Sequence, residues 1–155
     1  IHEASLQVHG LIDDVIWFIK PENDSNDRWI SKVVSTTSRM LSTLDYDSDI
    51  DENVLDNCAG VTSEMRRQLY LIIKESCQNI LKHSEATKVE ISLKREISKI
   101  ILSIRDNGKG FDTGLLTERN GLKQLKLRSH EIGAEIKINS EPGDGTEIIL
   151  ILGVE

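Results

Sequence analysis

Two neighbouring runs of the chain, at residues 88–94 and 100–105, alternate apolar and polar side chains. Successive side chains of a β-strand point to opposite faces, so this alternation predicts two strands that each bury one face. The apolar members of the two runs are Val89, Ile91, Leu93, Ile100, Leu102 and Ile104. Because a sheet with one apolar face needs a second layer to cover it, helices are expected to pack on one side of these strands.

Four other segments carry apolar residues at helical spacing and supply that second layer. They cover residues 6–19, 29–44, 63–83 and 121–133. Ser63 is the expected N-cap of the third helix, and Gly133 is the expected C′ residue of the fourth. Further strands are predicted at residues 44–51, 136–138 and 146–152. The elements predict an α/β two-layer sandwich, in which helices cover one face of a mixed, largely antiparallel sheet and a helical segment precedes it.

The first clear break in the chain is Lys20-Pro21, because proline disfavours helical geometry in the residue before it. Before the break, an apolar stripe at helical spacing has no partner within its own segment. It consists of Leu6, Leu11, Ile12, Val15, Ile16 and Ile19. This stripe must therefore pack on another helix or on another chain.

The composition excludes several kinds of partner. The chain has 155 residues and a net charge of −7, whereas proteins that hold a phosphate backbone carry a surplus of Lys and Arg, so no nucleic acid is expected. The longest strongly apolar stretch, Val15 to Ile19, is too short to cross a bilayer, and no direct membrane contact is expected. Cys58 and Cys77 are interpreted as reduced thiols of a cytoplasmic region, whose parent protein could carry a membrane anchor elsewhere.

Asp45, Asp47 and Asp49 have the spacing that opens a calcium-binding loop. The sixth position of such a loop needs glycine for a sharp turn, and here it is Ile50. The twelfth position is Asp56 instead of a bidentate Glu. A solvated strand face is therefore the preferred interpretation.

On the third predicted helix, Glu75, Asn79 and His83 are four residues apart, so their side chains stack along one line. Glu75 and Asn79 fall on the rim of the apolar arc, where a groove beside the core would open. An amide oxygen at such a rim suits Mg²⁺, which prefers oxygen ligands. Lys82 and His83 lie close enough to meet phosphates. The alternative is that these polar residues face solvent.

A glycine-rich stretch, residues 106–110, follows the second alternating strand. The carboxylate of Asp106 can accept hydrogen bonds from a purine amino group. Gly108 and Gly110 lack the Cβ atoms that would keep the backbone away from a flat ring. The stretch lacks the third glycine of a dinucleotide fingerprint and the Gly-Lys-Ser/Thr of a phosphate loop. Taken alone, it could also be an ordinary hairpin turn.

Two shorter motifs follow. Asn120-Gly121-Leu122 opens a helix whose backbone N–H groups can attract phosphate, and Gly143-Asp144-Gly145-Thr146 places a hydroxyl at the start of a strand. Together with residues 75–84 and 106–110, these motifs resemble the four nucleotide-binding boxes of the gyrase/Hsp90/histidine-kinase/MutL ATPase superfamily. Lys82 to Thr87 and the junction from Asp13 to Ser25 resemble its sensor histidine kinases of the nitrate-sensor and DesK type.

The resemblance implies a Bergerat-type ATP-binding fold with ATP and Mg²⁺ as ligands. Asn79 would ligate the Mg²⁺ that bridges the ATP phosphates, and Glu75, the expected catalytic residue, would orient water or the metal shell. Lys82 and His83 would face the phosphates. Gly121 and Leu122 would close the far end of the segment that covers the nucleotide.

The same resemblance assigns the base-binding side of the site. Asp106 would bind the adenine amino group, and Gly108 and Gly110 would lie against the ring. Thr146 would support the same pocket.

The resemblance also implies an organisation for the parent protein. Residues 1–20 would be the C-terminal part of a dimerisation helix, through which the parent forms a homodimer, and residues 21–155 would be the ATP-binding catalytic domain. The γ-phosphoryl group would pass to a histidine on the dimerisation helix and then to an Asp of a response regulator receiver domain. His2 begins a His-acid-x-x-x-Gln acceptor pattern, but it stands too close to the junction and is interpreted as a solvent-facing residue.

One departure from the family pattern supports a second hypothesis. Arg119 stands where the first glycine of a Gly-x-Gly-Leu motif is expected, and arginine is strained at a position that needs positive φ. The alternative function is a degenerate nucleotide-binding or protein-interaction module without kinase turnover. A third option, an anti-sigma factor serine kinase, is disfavoured by the junction from Asp13 to Ser25.

Overall fold

A computed structural model describes residues 2–115 and 120–155 of the chain. The helices are α1 (His2–Ile19), α2 (Asn26–Met40), α3 (Ser63–Asn79) and α4 (Asn120–Glu131), with a 3-10 turn at Pro21–Asn23 and a π turn at Ile80–Ser84. The strands are β1 (Asp45–Ile50), β2 (Lys88–Glu96), β3 (Lys99–Asp106), β4 (Glu135–Ser140) and β5 (Thr146–Gly153). This arrangement confirms the predicted sandwich with a preceding helix.

The five strands form one mixed sheet in the order β1-β2-β3-β5-β4. Only the β1–β2 pairing is parallel, because the chain crosses back through α3 between these two strands. The other neighbours are antiparallel. Pairing of β3 with β5 sets Asp106 directly opposite Thr146, so residues 40 positions apart in sequence become neighbours at one end of the sheet.

The core lies between one face of the sheet and the helices. All six apolar residues of the alternating runs are buried, as the pattern predicted, and Ile148, Leu150 and Leu152 of β5 join them. The predicted arc of α3 is also buried at Leu69, Ile72, Ile73, Ser76 and Ile80, whereas Met65 is half-buried. The alternation therefore predicted the buried face of the sheet correctly. Both edges of a central strand are paired with neighbouring strands, so its side chains differ only in whether they point to the covered face or to the open face.

The helix boundaries differ from the prediction in two places. The hydroxyl of Thr62 accepts a hydrogen bond from the N–H of Met65 at 3.2 Å, so Thr62 is the N-cap of α3. Ser63 Oγ instead donates to Asp24 Oδ2 at 2.7 Å. Helix α2 ends at Met40, before the predicted end at 44, because the following residues turn into β1.

The end of α4 confirms the expectation for Gly133. This glycine has φ +67°, a left-handed conformation that glycine adopts without the steric cost of a Cβ atom. Its N–H donates to His130 O, and the N–H of Ala134 donates to Ser129 O. These two bonds form a Schellman motif, which stops the helix.

Helix α1 is joined to α2 and α3 through one buried carboxylate. Asp14 is 6% exposed and lies between Lys32 Nζ at 3.0 Å and Lys74 Nζ at 2.5 Å. Its Oδ1 also accepts a hydrogen bond from the Tyr70 hydroxyl at 2.9 Å, and the ring of Phe18 packs on that of Tyr70. Burial raises the pKa of Asp14, but the hydrogen bonds from Lys74, Lys32 and Tyr70 outweigh it, and the net pKa is lowered.

The apolar stripe predicted for the first helix faces outward. Its residues are between 47% exposed, at Val15, and 72% exposed, at Ile19. A stripe of this kind is the surface that a second helix would cover. The division at residue 20 into two parts with separate roles stays a prediction.

The acidic run on β1 is a strand at the edge of the sheet. Asp45, Asp47 and Asp49 are exposed, and Asp49 pairs with Lys94 of β2. Within the described residues, no group of three or more His, Cys, Asp or Glu side chains could hold a metal ion. Charges on an exposed edge also discourage pairing with another chain, which fits the solvated strand face that we preferred to a calcium loop.

Candidate nucleotide-binding site

A cavity of about 340 Å³ lies between the C-terminal end of α3, the start of α4 and the adjoining ends of β3 and β5. Of the residues predicted for the site, it is lined by Asn79, His83, Asp106, Gly110, Gly121, Leu122 and Thr146. It is also lined by residues that were not predicted, namely Ser76, Ile80, Ser84, Ile104, Phe111, Asn120 and Ile148. A small, mostly apolar cavity with a few converging polar groups is typical of a ligand site.

Three predicted residues are not part of this lining: Glu75, Lys82 and Gly108. Glu75 adjoins the cavity through Gly121, and Gly108 is packed behind it against Ser84. Lys82 is exposed on the π turn. Because a π turn holds more residues per turn than an α-helix, His83 leaves the straight line that its spacing from Glu75 and Asn79 had predicted.

Asp106 is the last residue of β3 and is 5% exposed. Its Oδ1 accepts a hydrogen bond from Gly108 N at 2.8 Å, and the N–H of Thr146 also donates to the carboxylate. Burial raises the pKa of Asp106, and these two backbone hydrogen bonds offset part of that rise. The arrangement presents a buried hydrogen-bond acceptor at the wall of the cavity.

The glycine-rich stretch is held between the π turn and the β4–β5 turn. A Cβ at Gly108 would lie 2.3 Å from Ser84 O, and one at Gly110 would lie 2.0 Å from Glu141 O. The N–H of Lys109 donates to the same Ser84 carbonyl at 2.7 Å. Since β3 is followed by α4 and pairs with β2 and β5, the hairpin-turn interpretation is wrong.

The side chains of Asn79 and Glu75 meet at Gly121. A Cβ at this glycine would lie 2.7 Å from Asn79 Oδ1 and 2.9 Å from Glu75 Oε1, so the ends of both side chains pack against this glycine. Asn79 Nδ2 is buried and has no hydrogen-bond partner among the described residues. A buried amide left half-satisfied indicates that a ligand belongs beside it.

The side-chain oxygens of Asn79 and Glu75 suit Mg²⁺, which does not need a site built entirely from protein ligands. Proteins hold Mg²⁺ through one or two side-chain oxygens, and phosphate oxygens and water complete its coordination. Asn79 would be the residue that holds it, and Glu75 would orient water or the metal shell. The side-chain oxygens of Asn79 and Glu75 suit the metal, and the unpaired amide N–H groups of Asn79 suit an acceptor such as a phosphate oxygen. The Mg²⁺ itself stays a prediction.

Two polar side chains that support the site escaped the sequence analysis. Asn107 Oδ1 accepts hydrogen bonds from the N–H groups of Thr87 and Lys88 at 2.9 and 2.8 Å, which ties the Asp106 loop to the start of β2. Ser140, the last residue of β4, contacts Phe111, Gly145 and Thr146. The alternation that puts Ser140 in phase with Ile136 and Ile138 was the one available signal, because it assigns this serine to the covered face.

The expectation for Arg119 lies outside the described residues. Within the described part of the chain, no helix combines the length and the apolarity that a bilayer crossing requires.

The sandwich, the cavity between its layers and the glycine-bordered carboxylate define the class of the protein as a nucleotide-binding α/β domain. Residues 64–155 match the family described as histidine kinase-, DNA gyrase B- and HSP90-like ATPases. The chain therefore belongs to this ATPase family, whose membership implies ATP as the ligand.

Individual relatives agree with this assignment. The chain is 42% identical over 81 residues to the sensor protein VraS of Staphylococcus haemolyticus, a match that covers 52% of this chain and 23% of VraS. VraS of Staphylococcus aureus matches to the same extent. The chain thus spans less than a quarter of the length of these relatives. The subfamily predicted from the junction and from residues 82–87 stays a prediction.

Solved structures share the fold at low sequence identity. Histidine kinase AdeS of Acinetobacter baumannii superposes with a TM-score of 0.64 at 17% identity and covers 99% of this chain and 81% of its own. A blue-light activated histidine kinase of Erythrobacter litoralis gives a TM-score of 0.64 at 16% identity, with coverages of 79% and 40%. These likenesses extend the shared architecture to nearly the whole chain.

Proposed function

We propose that this chain is the ATP-binding catalytic domain of a two-component sensor histidine kinase. It would supply the γ-phosphoryl group of ATP to a histidine on the dimerisation helix, for relay to the receiver domain of a response regulator. The observation that carries this proposal is that Asn79 and Asp106, from elements far apart in sequence, face one cavity. The resemblance of the chain to sensor proteins supports the same reaction.

The base would bind at the sheet end of the cavity. Asp106 accepts a hydrogen bond from the adenine amino group, and Gly110 lets the backbone approach the ring. Thr146, which pairs with Asp106 across β3 and β5, completes this wall. Ile104 and Ile148 cover the apolar ring and exclude water.

The phosphates would lie toward α3 and the start of α4. Asn79 would hold Mg²⁺ by its amide oxygen, and Glu75 would orient water or the metal shell. The backbone N–H groups at the start of α4, near Gly121 and Leu122, would attract the phosphates. Bound Mg²⁺ supplies neutralisation of the phosphate charge. Lys82 and His83 on the π turn would face the phosphates from the outer rim. Positioning and charge neutralisation dominate phosphoryl transfer, so this chain needs to contribute no covalent chemistry.

The remaining parts of the proposal concern the parent protein. Residues 1–20 are the end of its dimerisation helix, and residues 21–155 are its catalytic domain. The outward-facing apolar stripe of α1 is the surface through which two copies would pair. The segment would lie in the cytoplasm, without contact to nucleic acid or membrane.

The second candidate is a degenerate module that holds nucleotide weakly and acts by protein contact. Arg119 favours it, because this residue replaces the first glycine of the Gly-x-Gly-Leu motif. The intact Asn79, Asp106, Gly108 and Gly110 favour the kinase. ATP binding by the wild-type chain separates the two.

Titration with ATP in the presence of Mg²⁺ tests the proposal. We expect Asp106→Asn to weaken ATP binding at least about tenfold, because the amide replaces one acceptor oxygen with a donor beside the adenine amino group. Asp47→Asn on the exposed edge strand is the matched control and should bind like wild type. Equal affinity of wild type and Asp106→Asn would refute the pocket assignment. Absence of ATP binding by a folded wild-type chain would favour the degenerate module.

A further inference from the structure

We propose that Ser140 is a positioning residue that fixes the hydroxyl of Thr146 as a hydrogen-bond acceptor toward the cavity, and thereby selects adenine over purines with an oxygen at position 6. The inference rests on the proposed function and deepens it. Ser140 does not line the cavity and acts on a base only through Thr146.

The hydrogen bonds of Ser140 Oγ account for every proton and lone pair of its hydroxyl. The N–H of Phe111 donates to Oγ at 2.9 Å, which occupies one lone pair. Oγ lies 2.8 Å from the carbonyl oxygen of Gly145, which can only accept, so the single proton of Ser140 goes there.

The third contact of Ser140 sets the orientation of Thr146. Ser140 Oγ and Thr146 Oγ1 are 2.9 Å apart, and geometry alone allows either to donate. Because Ser140 has already given its proton to Gly145, the proton of Thr146 must be the one in this bond. Thr146 therefore has no proton left for a ligand, and only its lone pairs are available.

The neighbour of Thr146 in the cavity wall has the same polarity. Asp106 pairs with Thr146 across the two strands, and its carboxylate accepts hydrogen bonds from the backbone N–H groups of Gly108 and Thr146. This edge of the site thus presents two acceptors side by side. A purine amino group donates to such an edge, whereas a carbonyl oxygen at the same place would face acceptors and lose its hydrogen bond with water without replacement.

The backbone around the site explains why a serine at position 140 can form these hydrogen bonds. Ser140 joins the residue after the glycine-rich stretch, Phe111, to the turn before β5 at Gly145. Gly145 itself has φ +72°, and a Cβ there would lie 2.1 Å from the Asp106 carbonyl oxygen. The turn at Gly145 is therefore packed against Asp106, so the carbonyl that takes the proton of Ser140 lies beside the acceptor of the site.

The test compares Mg²⁺-dependent binding of ADP and IDP, whose bases differ in the amino or oxo group at position 6 and in the proton at N1. We expect wild type to prefer ADP and Ser140→Ala to reduce the ADP-to-IDP affinity ratio by about fivefold, because the freed Thr146 hydroxyl can then donate to an oxygen. Ser140→Thr keeps the hydroxyl and should keep the ratio. Ser103→Ala, a strand serine on the opposite face of the sheet, is the matched control.

The outcomes separate this inference from the proposed function. A folded Ser140→Ala that binds ADP with an unchanged ratio would overturn the role of Ser140 and leave the ATP site standing. A wild-type chain that binds neither nucleotide would overturn the proposed function and the inference with it. If circular dichroism shows that Ser140→Ala does not fold, Ser140→Cys replaces it. Because sulfur is a weak acceptor, the same fall in the ratio is expected, and an unchanged ratio would again overturn the inference.

Discussion

Gly121 lies at a contact between the start of α4 and two side chains of α3 in the candidate site. Its missing Cβ leaves room for the oxygens of Asn79 and Glu75, which pack against this glycine. The contact also explains why a glycine is needed at this position of α4, beside the amide of Asn79. The sequence interpretation placed Gly121 at the far end of the segment that covers the nucleotide, and its contact with Asn79 and Glu75 comes from the structure.

At this scale we predict the effect of Gly121→Ala. The added methyl group displaces the ends of two flexible side chains, so we expect Mg²⁺-dependent ADP binding to weaken about tenfold while the melting temperature changes little. Titrations with and without Mg²⁺, together with thermal melts, check this. Gly153→Ala is the control, because a Cβ there meets nothing within 4 Å. If Gly121→Ala binds ADP with unchanged Mg²⁺-dependent affinity, the assignment of Asn79 and Glu75 to the metal site is wrong.

The helices are joined by a few polar contacts that the helix and strand propensities of the sequence do not reveal. Asp14 joins α1 to Lys32 of α2 and Lys74 of α3, and Lys74 is next to Glu75 in the sequence. A buried ion pair of this kind contributes through its hydrogen bonds, and removal of one partner leaves charges without compensation. The position of the first helix therefore depends on this carboxylate together with the packing of Phe18 on Tyr70.

At the element scale we predict that Asp14→Asn lowers the free energy of unfolding by about 2–3 kcal/mol at pH 7. The pKa of Asp14 is lowered on folding, so the ionised carboxylate stabilises the native state above its ordinary pKa of 3.8, and this contribution is lost as the pH falls through the lowered value. The difference between wild type and Asp14→Asn should therefore shrink below about pH 4.

Urea unfolding across this pH range, with hydrogen exchange of the α1 amides, measures the effect. Asp13→Asn changes the exposed neighbour of Asp14 on the same helix and should leave stability unchanged. A deficit for Asp14→Asn that stays constant down to pH 3 would contradict the assigned role of its charge.

The whole molecule brings together a site that no single segment contains. Asn79, Asp106, Gly121 and Thr146 come from α3, β3, α4 and β5 and line one cavity. The α1 helix, by contrast, contacts α2 and α3 through the side chains of Asp14 and Phe18, and its apolar stripe faces outward. His2 is exposed at the far end of α1, about 18 Å along the helix axis from Asp14.

At this scale we predict that the chain alone does not phosphorylate itself, because His2, which begins the acceptor pattern, stands too close to the junction at Lys20-Pro21 to serve as the acceptor. Incubation with Mg²⁺ and ATP labelled in its γ-phosphate should give no labelled protein above the level of His2→Gln. Labelled phosphate on His2 would contradict the interpretation that this residue is not the phosphoacceptor. ADP binding by the same preparation provides the control for a folded site.

Local patterns predicted the element types and the buried face of the sheet, because periods of 2 and 3.6 residues are properties of neighbouring side chains. The motif residues Asn79, Asp106, Gly121 and Thr146 also carried a local signal, since their chemistry and order could be compared with known boxes. The predicted boundaries of α3 were less accurate. The cap at Thr62 and the π turn depend on which of several nearby groups forms a hydrogen bond with the backbone.

Tertiary structure alone decided which side chains act together. Strand register set Asp106 beside Thr146, the fold of the β4–β5 turn gave Ser140 its three partners, and helix packing left Asp14 between two lysines. None of these contacts joins residues whose separation in sequence matches the period of a helix or a strand. Sequence by itself therefore determined the layers and the candidate chemistry of this protein, whereas hydrogen-bond polarity and the position of α1 depend on atoms that folding brings together from distant parts of the chain.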